Sequence, residues 1–442
     1  STPYSWIQTG SYLSQRFYLT VGADTLTFTI PAGGSQIVYT FDDDSTQTVA
    51  VSPGAYTVPT NLNRRWIKRI AGNWNVTPTV LPPSYVGNIG TRVRIPDSSS
   101  AGVYKQANSR TLHVLHEDVT SLTIMWSSFR ADGTTSTDVA GTGVVTQVLF
   151  SGATSGTLSG STVLAGVATF TAPKGAQIAI RSFADATVGF LYTGVPQYVS
   201  PYSIDLCEAA ASGLTDKTMG GTITQTSAQP PIFPCAIVAS TWRPTFFAVG
   251  DSNAIGKFQD STAGDFGVIE PWLDEQFGVL NIGAASEQAQ NFVGGALFRK
   301  PLAAYCSNLV TNFGINDLVL GGRTDAQLQT SLTQIAALWP TKPAYLVTLT
   351  PYTTSTDSFN TTANQTVTAY EPDRLANNTW RVGVPATFTG CFDVNAAVSV
   401  SGKWAPAPIA SVTQTPDGLH TWYAGHWYLR QFTAFTYSTI TR

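Results

Sequence analysis

The stretch that most constrains this chain is Thr245–Asn253, where a run of small or apolar residues ends in Gly250, Asp251 and Ser252. A continuous apolar run bounded by a turn signal is typical of a strand buried on both faces, as in a parallel sheet. Gly250 permits a sharp turn, which places Ser252 at the carboxyl end of that strand, where ligands collect in open α/β sheets. Ser252 is therefore a candidate nucleophile, although many such turns carry no chemistry.

Composition argues against several classes of function. Charged residues make up 12% of the 442 residues and the formal net charge is -3, so a basic surface for nucleic acid or anionic membrane is not expected. No apolar run reaches the roughly 18 residues of a membrane span. The sequence does not begin with a basic segment followed by an apolar one, so no signal peptide is expected in it, which is compatible with earlier removal or another export route.

The four cysteines contain no CxxC pair, which argues against a zinc site and permits up to two disulfides. Cys207 and Cys235 flank an irregular stretch that a disulfide between them would close. Cys306 and Cys391 each precede an apolar, strand-like run. For this second pair we favour buried thiols.

Two other patterns resemble metal sites. Asp42, Asp43 and Asp44 are consecutive, but the spacing of a calcium-binding EF-hand loop is missing, so a solvated hairpin tip is favoured. His113 and His116 are three residues apart on a predicted strand, where side chains at that spacing point to opposite faces. Neither a metal nor an organic cofactor is therefore predicted.

The chain is predicted to contain three domains. Residues 1–100 show strand-like alternation, for example at Gln36–Phe41, and predict a small β domain for attachment or binding. Within it, residues 76–100 are predicted to be a linker, because they are rich in Pro, Gly, Ser and Asn. Residues 101–241, with predicted strands that include 121–126 and 177–181, predict a β-sandwich-like domain with an irregular connector at its end. Residues 242–442 alternate strands and helices, which predicts an α/β fold with a doubly wound parallel sheet.

Within residues 242–442 the elements follow the strand before Ser252. The predicted helices are Trp272–Phe277, Ala326–Leu338 and Trp422–Phe435, and the predicted strands are Val279–Gly283, Leu309–Gly314, Ala344–Thr350 and Cys391–Asn395.

Polar residues farther along the chain complete a candidate hydrolytic site. Asp417 and His420 are three apart, so that Asp417 can hold one ring nitrogen of His420 while the other faces Ser252. The Asn316 amide and the backbone N–H groups of Ser252 and of the turn after Asn281 are candidate donors to an oxyanion. These residue types predict acyl transfer with Ser252 as nucleophile and His420 as general base.

Three of these stretches, in this order, resemble blocks of the SGNH (GDSL-like) hydrolase family. Gly250–Ser252 matches its nucleophile block, Gly314–Asp317 its Gly-x-Asn-Asp block, and Asp417–His420 its Asp-x-x-His block. The resemblance implies a serine esterase with an α/β fold, a catalytic triad and no cofactor. It also implies that a glycine N–H assists Ser252 and Asn316 in the oxyanion hole.

At that glycine this chain departs from the family pattern. In the family, the Asn at the end of the second strand is followed five residues later by the glycine. Here Asn281 is followed at that spacing by Ser286, and the nearest glycine is Gly283. Either Ser286 or Gly283 is therefore expected to supply the second backbone N–H.

A looser resemblance extends upstream. Ser109–His113, the strand around Leu122, Pro173–Gln177 and Arg181 are similar to a β domain that precedes the hydrolase in some bacterial and phage-associated members. The resemblance implies an extracellular, surface-associated or virion-associated protein, in which the N-terminal β domains mediate attachment or oligomer formation.

The expected reaction is the removal of small acyl groups, above all O-acetyl, from a carbohydrate. A lipase usually needs an apolar lid, and no strongly amphipathic helix is expected between Ser252 and His420. Trp380, Trp404, Trp422 and Trp427 are expected in the core, unless one of them lines a sugar-stacking cleft. The alternatives are a lipase or thioesterase, and a non-catalytic β-rich binding or structural protein of a phage tail or cell surface.

Overall fold

The computed structural model describes most of the chain after residue 83 and short segments before it. The described residues are 7–9, 12–15, 27–30, 36–41, 46–52, 54–57, 67–72, 84–100, 103–149, 156–160, 163–185, 190–192, 205–218, 220–226, 231–256, 267–273, 276–406, 413–422, 429 and 440. The chain forms two compact units, Ser1–Ser84 and Tyr85–Arg442.

The first unit consists, where it is described, of antiparallel strands. They are β1 (Ile7–Thr9), β2 (Tyr12–Gln15), β3 (Thr27–Ile30), β4 (Gln36–Phe41), β5 (Thr46–Ala50), β6 (Gly54–Thr57) and β7 (Ile67–Gly72). One sheet has the order β1-β2-β7-β4-β5, and β3 pairs with β6. The predicted strand Gln36–Phe41 is confirmed as β4, whereas Asp42, Asp43 and Asp44 lie outside the described residues.

The first part of the second unit is also rich in strands. They are β8 (Tyr85–Asn88), β9 (Val93–Arg94), β10 (Ser98–Ser99), β11 (Gln106–Val114), β12 (Val119–Ser127), β13 (Phe129–Asp132), β14 (Thr137–Leu149), β15 (Gly156–Gly160), β16 (Val163–Ala172), β17 (Gln177–Asp185), β18 (Leu191–Tyr192), β19 (Leu206–Ala210) and β20 (Ala236–Thr241).

These strands build two larger antiparallel sheets. One has the order β13-β14-β17-β11-β19 with β15 beside β14, and the other has the order β16-β12-β20-β8. The predicted strands at residues 121–126 and 177–181 lie inside β12 and β17. The sandwich-like arrangement and the domain boundaries at residues 100 and 241 stay predictions.

The prediction of a linker over residues 76–100 is wrong for its described part. Residues 85–88 form β8, which pairs with β20, and β9 pairs with a strand of the later parallel sheet. Ile89, Val93 and Ile95 are buried between these segments. A composition rich in Pro, Gly and Ser therefore did not distinguish a linker from short strands whose few apolar side chains join the core.

The remainder of the second unit alternates strands and helices. The strands are β21 (Thr245–Val249), β22 (Gly278–Asn281), β23 (Asn308–Thr311), β24 (Ala344–Val347), β25 (Thr353–Ser355), β26 (Gln365–Val367), β27 (Gly390–Phe392), β28 (Ser399–Val400) and β29 (Lys403–Trp404). The helices are α1 (Ser252–Ile255), α2 (Glu270–Leu273), α3 (Ala289–Gly294), α4 (Ile315–Val319), α5 (Asp325–Ala337), α6 (Glu371–Val382) and α7 (Val394–Val398), with a 3₁₀ helix at Lys300–Tyr305.

A six-stranded parallel sheet is the centre of this part. Its order is β27-β24-β23-β21-β22-β9, and each adjacent pair is parallel. After β21 the chain adds β22 on one side and then β23 on the other. The strand order therefore reverses beside β21, and the carboxyl ends of β21, β22 and β23 border the crevice in which such sheets bind ligands.

Apolar layers cover both faces of this sheet, which explains why its strands are continuous apolar runs. Every residue of β21 is buried. Phe247 belongs to a core with Phe292 of α3 and Leu332 of α5, whereas Phe246 belongs to a core with Trp272 of α2. The alternation of side chains along one strand thus supplies both layers.

The described helices match the predictions in part. α5 is close to the predicted helix 326–338, and it begins at a capping box in which Thr324 accepts from the Gln327 N–H and the Gln327 side chain accepts from the Thr324 N–H. α2 ends at Leu273, so the predicted helix 272–277 is displaced towards the N-terminus. Most of the predicted helix 422–435 lies outside the described residues.

Helix α6 contradicts the expectation that no strongly amphipathic helix lies between Ser252 and His420. Its two faces differ sharply, but the buried face is the polar one, formed by Glu371, Arg374, Asn377, Asn378 and Arg381. Arg374 Nη1 donates to the Leu349 carbonyl at 2.7 Å and Arg381 Nη1 donates to the Val347 carbonyl at 2.6 Å. These buried bonds anchor α6 to the end of β24, so α6 is not built as a mobile lid.

The four cysteine thiols are free. Cys207 lies in β19 and Cys235 directly precedes β20, and these two strands belong to different sheets. The disulfide considered from the sequence is therefore absent. Burial raises the pKa of Cys235 and of Cys306 to about 12, which keeps both thiols protonated and unreactive at neutral pH.

No helix in the described part of the chain combines the length and the apolar character that a membrane span requires.

Candidate active site

The turn after β21 positions Ser252 in a buried setting. Gly250 passes so close to the Asn312 side chain that a Cβ at this position would overlap Asn312 Oδ1, which requires glycine here. Asp251 then caps the short helix α1 by accepting from the Asn253 N–H at 2.8 Å. Ser252 is the first residue of α1, and only 5% of it is exposed.

The structure brings together the three residues predicted as nucleophile, base and orienting acid. His420 Nε2 lies 2.8 Å from Ser252 Oγ, and His420 Nδ1 lies 2.7 Å from Asp417 Oδ2. The second carboxylate oxygen, Asp417 Oδ1, accepts from the backbone N–H groups of Leu419 and His420. This geometry allows Asp417 to hold His420 with Nε2 facing the hydroxyl.

The charge state of Asp417 suits that arrangement. Partial burial opposes ionisation, but the hydrogen bond and charge of the His420 ring, together with the hydrogen bonds from the backbone N–H groups of His420 and Leu419, outweigh it and hold the pKa of Asp417 below its ordinary value. Asp417 is therefore ionised at neutral pH. An ionised carboxylate at Nδ1 stabilises the imidazolium that forms when His420 accepts the Ser252 proton.

The loop that carries Asp417 and His420 is fastened through Gly418. This glycine has a φ of 81°, in the left-handed region, and its carbonyl accepts from Trp404 Nε1 at 2.8 Å and from the Thr353 N–H at 3.0 Å. Sequence reasoning found the Asp-x-x-His pattern but missed Trp404 and Thr353. Local sequence does not indicate which distant donors meet a loop carbonyl.

The N–H of Ser286 is a better candidate than that of Gly283 for the second oxyanion donor. The Gly283 N–H already donates to Asn281 Oδ1 at 3.1 Å. The N–H groups of Ser286 and Ser252 have no hydrogen-bond partner among the described residues. Ser286 has a φ of 65°, so the backbone at the position of the expected glycine lies in the left-handed region, which glycine adopts at lower cost than serine.

Asn316 lies beside that same turn. It is the second residue of α4, after β23, and its Nδ2 donates to the Glu287 carbonyl at 3.2 Å. The next residue, Asp317, accepts from the Ala289 N–H at 2.9 Å. An amide nitrogen carries two hydrogens, so Asn316 can donate the second to a substrate oxygen. The roles of Ser286 and Asn316 stay predictions.

Asn281, which ends β22, supports the site rather than facing it. Its Nδ2 donates to the Ala254 carbonyl and to Glu270 Oε1, both at 2.8 Å. Glu270 in turn forms a buried ion pair with Arg94 on the edge strand β9. Sequence reasoning missed Glu270 and Arg94, since 176 residues separate them in the chain.

Asp251 is a second buried carboxyl group at the site. Burial raises the pKa of Asp251 to about 6, against the opposing effect of hydrogen bonds from the Asn253 N–H and Asn312 Nδ2 and of the charge of His420. The other oxygen, Oδ2, has no hydrogen-bond partner among the described residues. A carboxyl group adjacent to the nucleophile therefore changes charge near pH 6.

The other predicted positions lie away from this site or line its surroundings. His113 is fully buried, with Nδ1 2.7 Å from the Thr91 carbonyl and Nε2 2.7 Å from Thr111 Oγ1, and burial lowers its pKa to about 3. His116 follows the end of β11. In the part of the chain that the structure describes, no three His, Cys, Asp or Glu side chains group as metal ligands.

Of the tryptophans considered for a sugar-stacking cleft, three lie in the described part of the chain, and Trp422 is the exposed one among them. Trp404 is fully buried and Trp380 packs partly buried against the core. Trp422, two residues after His420, is 39% exposed. Trp427 lies outside the described residues.

Comparison with known proteins returns structural neighbours but no sequence relatives. No family model matches the chain, and no curated protein matches it. Structural neighbours include a carbohydrate acetylesterase from Sinorhizobium meliloti, with 11% identity, 42% of this chain and 95% of that chain covered, and a TM-score of 0.30.

Two further neighbours are an aryl esterase from M. smegmatis and a member of the lipolytic protein G-D-S-L family from Veillonella parvula. The aryl esterase has 13% identity, with 43% of this chain and 95% of that chain covered and a TM-score of 0.30. The G-D-S-L protein has 12% identity, with 44% of this chain and 100% of that chain covered and a TM-score of 0.29. At these values the likeness assigns neither a family nor a substrate to this chain.

Proposed function

We propose that this protein is a serine ester hydrolase that acts through an acyl-Ser252 intermediate. The observation that carries the proposal is the line of two short hydrogen bonds from Asp417 through His420 to Ser252, at 2.7 and 2.8 Å. Ser252 is 168 residues from His420 in the chain, but the two side chains and Asp417 meet in the geometry that nucleophilic catalysis by serine requires.

The proposed reaction has two steps. Ser252 Oγ attacks the ester carbonyl carbon while His420 Nε2 takes the hydroxyl proton, and collapse of the tetrahedral intermediate releases the alcohol, which receives that proton from His420. A water molecule then attacks the acyl-Ser252 ester with His420 again as the base, and the carboxylic acid leaves. The negative oxygen of each intermediate is held by the N–H groups of Ser252 and Ser286 and by Asn316.

The substrate that we propose is a carbohydrate carrying small acyl groups, above all O-acetyl. Two observations support it. Helix α6 is held by the buried Arg374 and Arg381, so it does not offer the movable apolar lid of a lipase. Trp422 is 39% exposed two residues after His420, and an exposed indole face is a suitable surface for stacking against a sugar ring.

We further propose an extracellular, surface-associated or virion-associated location, with the strands of residues 1–84 serving attachment. The sparsely charged, Thr-rich and aromatic-rich character of the N-terminal sequence supports this proposal.

The test of the activity is Ser252→Ala, assayed by hydrolysis of a short-chain aryl ester and by labelling with a fluorophosphonate. We expect Ser252→Ala and His420→Ala to lose a factor of about 10⁴ or more in kcat, and Asp417→Ala to lose less, because a backbone carbonyl or water can partly orient the ring. Labelling of the wild-type protein and its absence in Ser252→Ala are expected. Failure of the folded wild-type protein to be labelled would favour the non-catalytic binding protein.

The test of the substrate is a chain-length profile with aryl esters combined with acetate release from a panel of acetylated polysaccharides. We expect the highest kcat/KM for acetyl esters and release of acetate from at least one glycan. A preference for acyl chains of about eight carbons or more, without acetate release, would indicate a lipase or thioesterase instead.

A further inference from the structure

A buried ionic cluster joins the β-rich part of the second unit to the turn that contains Ser286. The Arg299 guanidinium lies between two carboxylates: Nε donates to Asp138 Oδ1 at 2.6 Å, and Nη1 and Nη2 donate to the two oxygens of Glu287 at 2.9 and 2.6 Å. At most 1% of each of these three side chains is exposed. Such a paired fork fixes the relative position of its partners more strictly than a surface ion pair does.

On one side, the cluster is held by the antiparallel sheet. Asp138 is the second residue of β14, and its Oδ2 also accepts from the backbone N–H groups of Phe298 and Arg299 at 2.8 and 2.9 Å. Asp138 thus fixes both the backbone and the side chain of Arg299. All of its hydrogen-bonding partners named here lie 160 or 161 residues later in the chain.

On the other side, Arg299 of the cluster is hydrogen-bonded to both ends of the turn after β22, at Ile282 and Glu287. Arg299 Nη1 donates to the Ile282 carbonyl at 2.8 Å as well as to the Glu287 carboxylate. The Glu287 carbonyl accepts from Asn316 Nδ2. Glu287 is therefore linked to both candidate oxyanion donors outside the nucleophile turn: Ser286 directly precedes it in the chain, and Asn316 is hydrogen-bonded to it.

The hairpin between β13 and β14 touches the same turn directly. A Cβ added to Gly133, at the tip of this hairpin, would overlap the Ala285 carbonyl oxygen. The Ser136 carbonyl accepts from the Ala296 N–H at 2.7 Å. The hairpin therefore abuts the backbone immediately before Ser286 and is bonded to the segment that leads to Arg299.

From these contacts we propose that Asp138, Arg299 and Glu287 are positioning residues, through which the β13–β14 hairpin sets the turn that presents the Ser286 N–H to the oxyanion. The proposal rests on the proposed function and goes beyond it, because it gives the β-rich segment a part in catalysis in addition to attachment. None of the three residues touches the reacting atoms. Their effect is on the geometry of donors, for which displacements of about 1 Å are costly.

The test is Asp138→Asn in the full-length protein, measured by steady-state hydrolysis of an aryl acetate and by binding of an alkyl boronic acid. The boronic acid forms a tetrahedral anionic adduct with Ser252 and so reports on the oxyanion donors. We expect kcat and the boronate affinity to fall together by about 10- to 100-fold, as for other supporting residues around a site, with KM little changed. The midpoint of the pH–rate profile should stay unchanged, because Asp417 and His420 are on a different loop.

Asp205→Asn is the matched control. Asp205 is also buried, forms an ion pair with the Arg92 guanidinium and accepts from the Leu112 N–H at 2.9 Å, and these two partners belong to the β-rich part of the second unit rather than to the Ser286 turn. Asp205→Asn should lower the unfolding midpoint and leave kcat and boronate affinity unchanged. Equal losses of kcat in folded Asp138→Asn and Asp205→Asn would overturn the proposal, as would an unchanged kcat in Asp138→Asn.

A second pair of variants covers the case in which Asp138→Asn does not fold. Gly133→Ala pushes on the Ala285 carbonyl without removing a charge, whereas Gly220→Ala adds its methyl group where nothing lies within 4 Å. We expect the loss of kcat and boronate affinity in Gly133→Ala alone, and equal behaviour of the two would refute the proposal. A folded wild-type protein with neither hydrolysis nor fluorophosphonate labelling would instead refute the proposed function itself.

Discussion

Replacing Asp251 by Asn should make the protein more stable at neutral pH although it alters a residue of the nucleophile turn. Asp251 is fully buried, and one of its oxygens accepts from the Asn253 N–H and from Asn312 Nδ2. An asparagine can place its amide oxygen at that position and keep both bonds. The substitution therefore removes the charge while it retains the cap of α1.

The size of the effect follows from the pKa of Asp251. Burial raises this pKa from 3.8 to about 6 in the folded protein, so the folded state favours the protonated carboxyl. The stabilising contribution of the protonated Asp251 carboxyl is fully present below about pH 4, and it is lost as the pH rises through about 6. A shift of about two units corresponds to about 3 kcal/mol, which is the cost of the buried carboxylate above pH 6.

The assay is urea unfolding between pH 4 and pH 8. We expect the free energy of unfolding of Asp251→Asn, minus that of the wild type, to be near zero at pH 4 and to rise by about 3 kcal/mol by pH 7. The control is Asp357→Asn. Hydrogen bonds from Thr361 and Ser355 lower the pKa of the partly exposed Asp357 to about 2, so this variant should lose stability at neutral pH. A difference that does not change with pH for Asp251→Asn would refute the reasoning.

Two further predictions concern left-handed backbone positions at the site. Ser286→Gly should raise the free energy of unfolding by up to about 1 kcal/mol, since a φ of 65° is costly for serine. The rate of hydrolysis should stay within about threefold of wild type, because glycine keeps the backbone N–H. Ser401→Gly, at a φ of 51° in the turn between β28 and β29, should raise the free energy of unfolding similarly. A tenfold loss of kcat in Ser286→Ala would show that the Ser286 hydroxyl, rather than its N–H, is the donor. Gly418→Ala should lower kcat by about 100-fold or more, because its Cβ would overlap the Thr353 carbonyl oxygen and displace His420. Gly175 has a φ of 85° and nothing within 4 Å of an added Cβ, so Gly175→Ala should have a similar conformational cost but an unchanged kcat. Equal activities of Gly418→Ala and Gly175→Ala would contradict the prediction.

The local sequence determined the parts of this protein whose signals are short. The apolar run at residues 245–249 predicts a strand buried on both faces because both faces of the parallel sheet are covered, and every residue of β21 is indeed buried. Asp417 and His420 are three residues apart, so their hydrogen bond is settled within one loop. Periodicity and turn chemistry act over a few residues, which is why they can be interpreted without a structure.

Sequence patterns were less informative where polar residues are buried or where composition alone was the guide. Helix α6 has the two-faced pattern of a surface helix, but it turns its polar face inward because Arg374 and Arg381 bond to carbonyl groups at the strand ends. Residues 85–94 have the composition of a linker, but they pair with strands of two sheets. In both cases the deciding partners lie outside the local stretch, and for Arg374 and Arg381 they are 25 and 34 residues away.

Only the tertiary structure decided how the site is assembled. Ser252 and His420 are 168 residues apart, and they meet because the turn after β21 holds one and the loop fastened by Trp404 and Thr353 holds the other. The contact of Asp138 with Arg299 likewise joins one sheet to another part of the fold. At Ser286 the sequence showed only that a glycine is missing, whereas the backbone shows a φ of 65°, in the left-handed region that favours glycine. Buried donors and acceptors must find partners wherever the fold places them, and that placement is a property of the packed chain rather than of any short stretch of it.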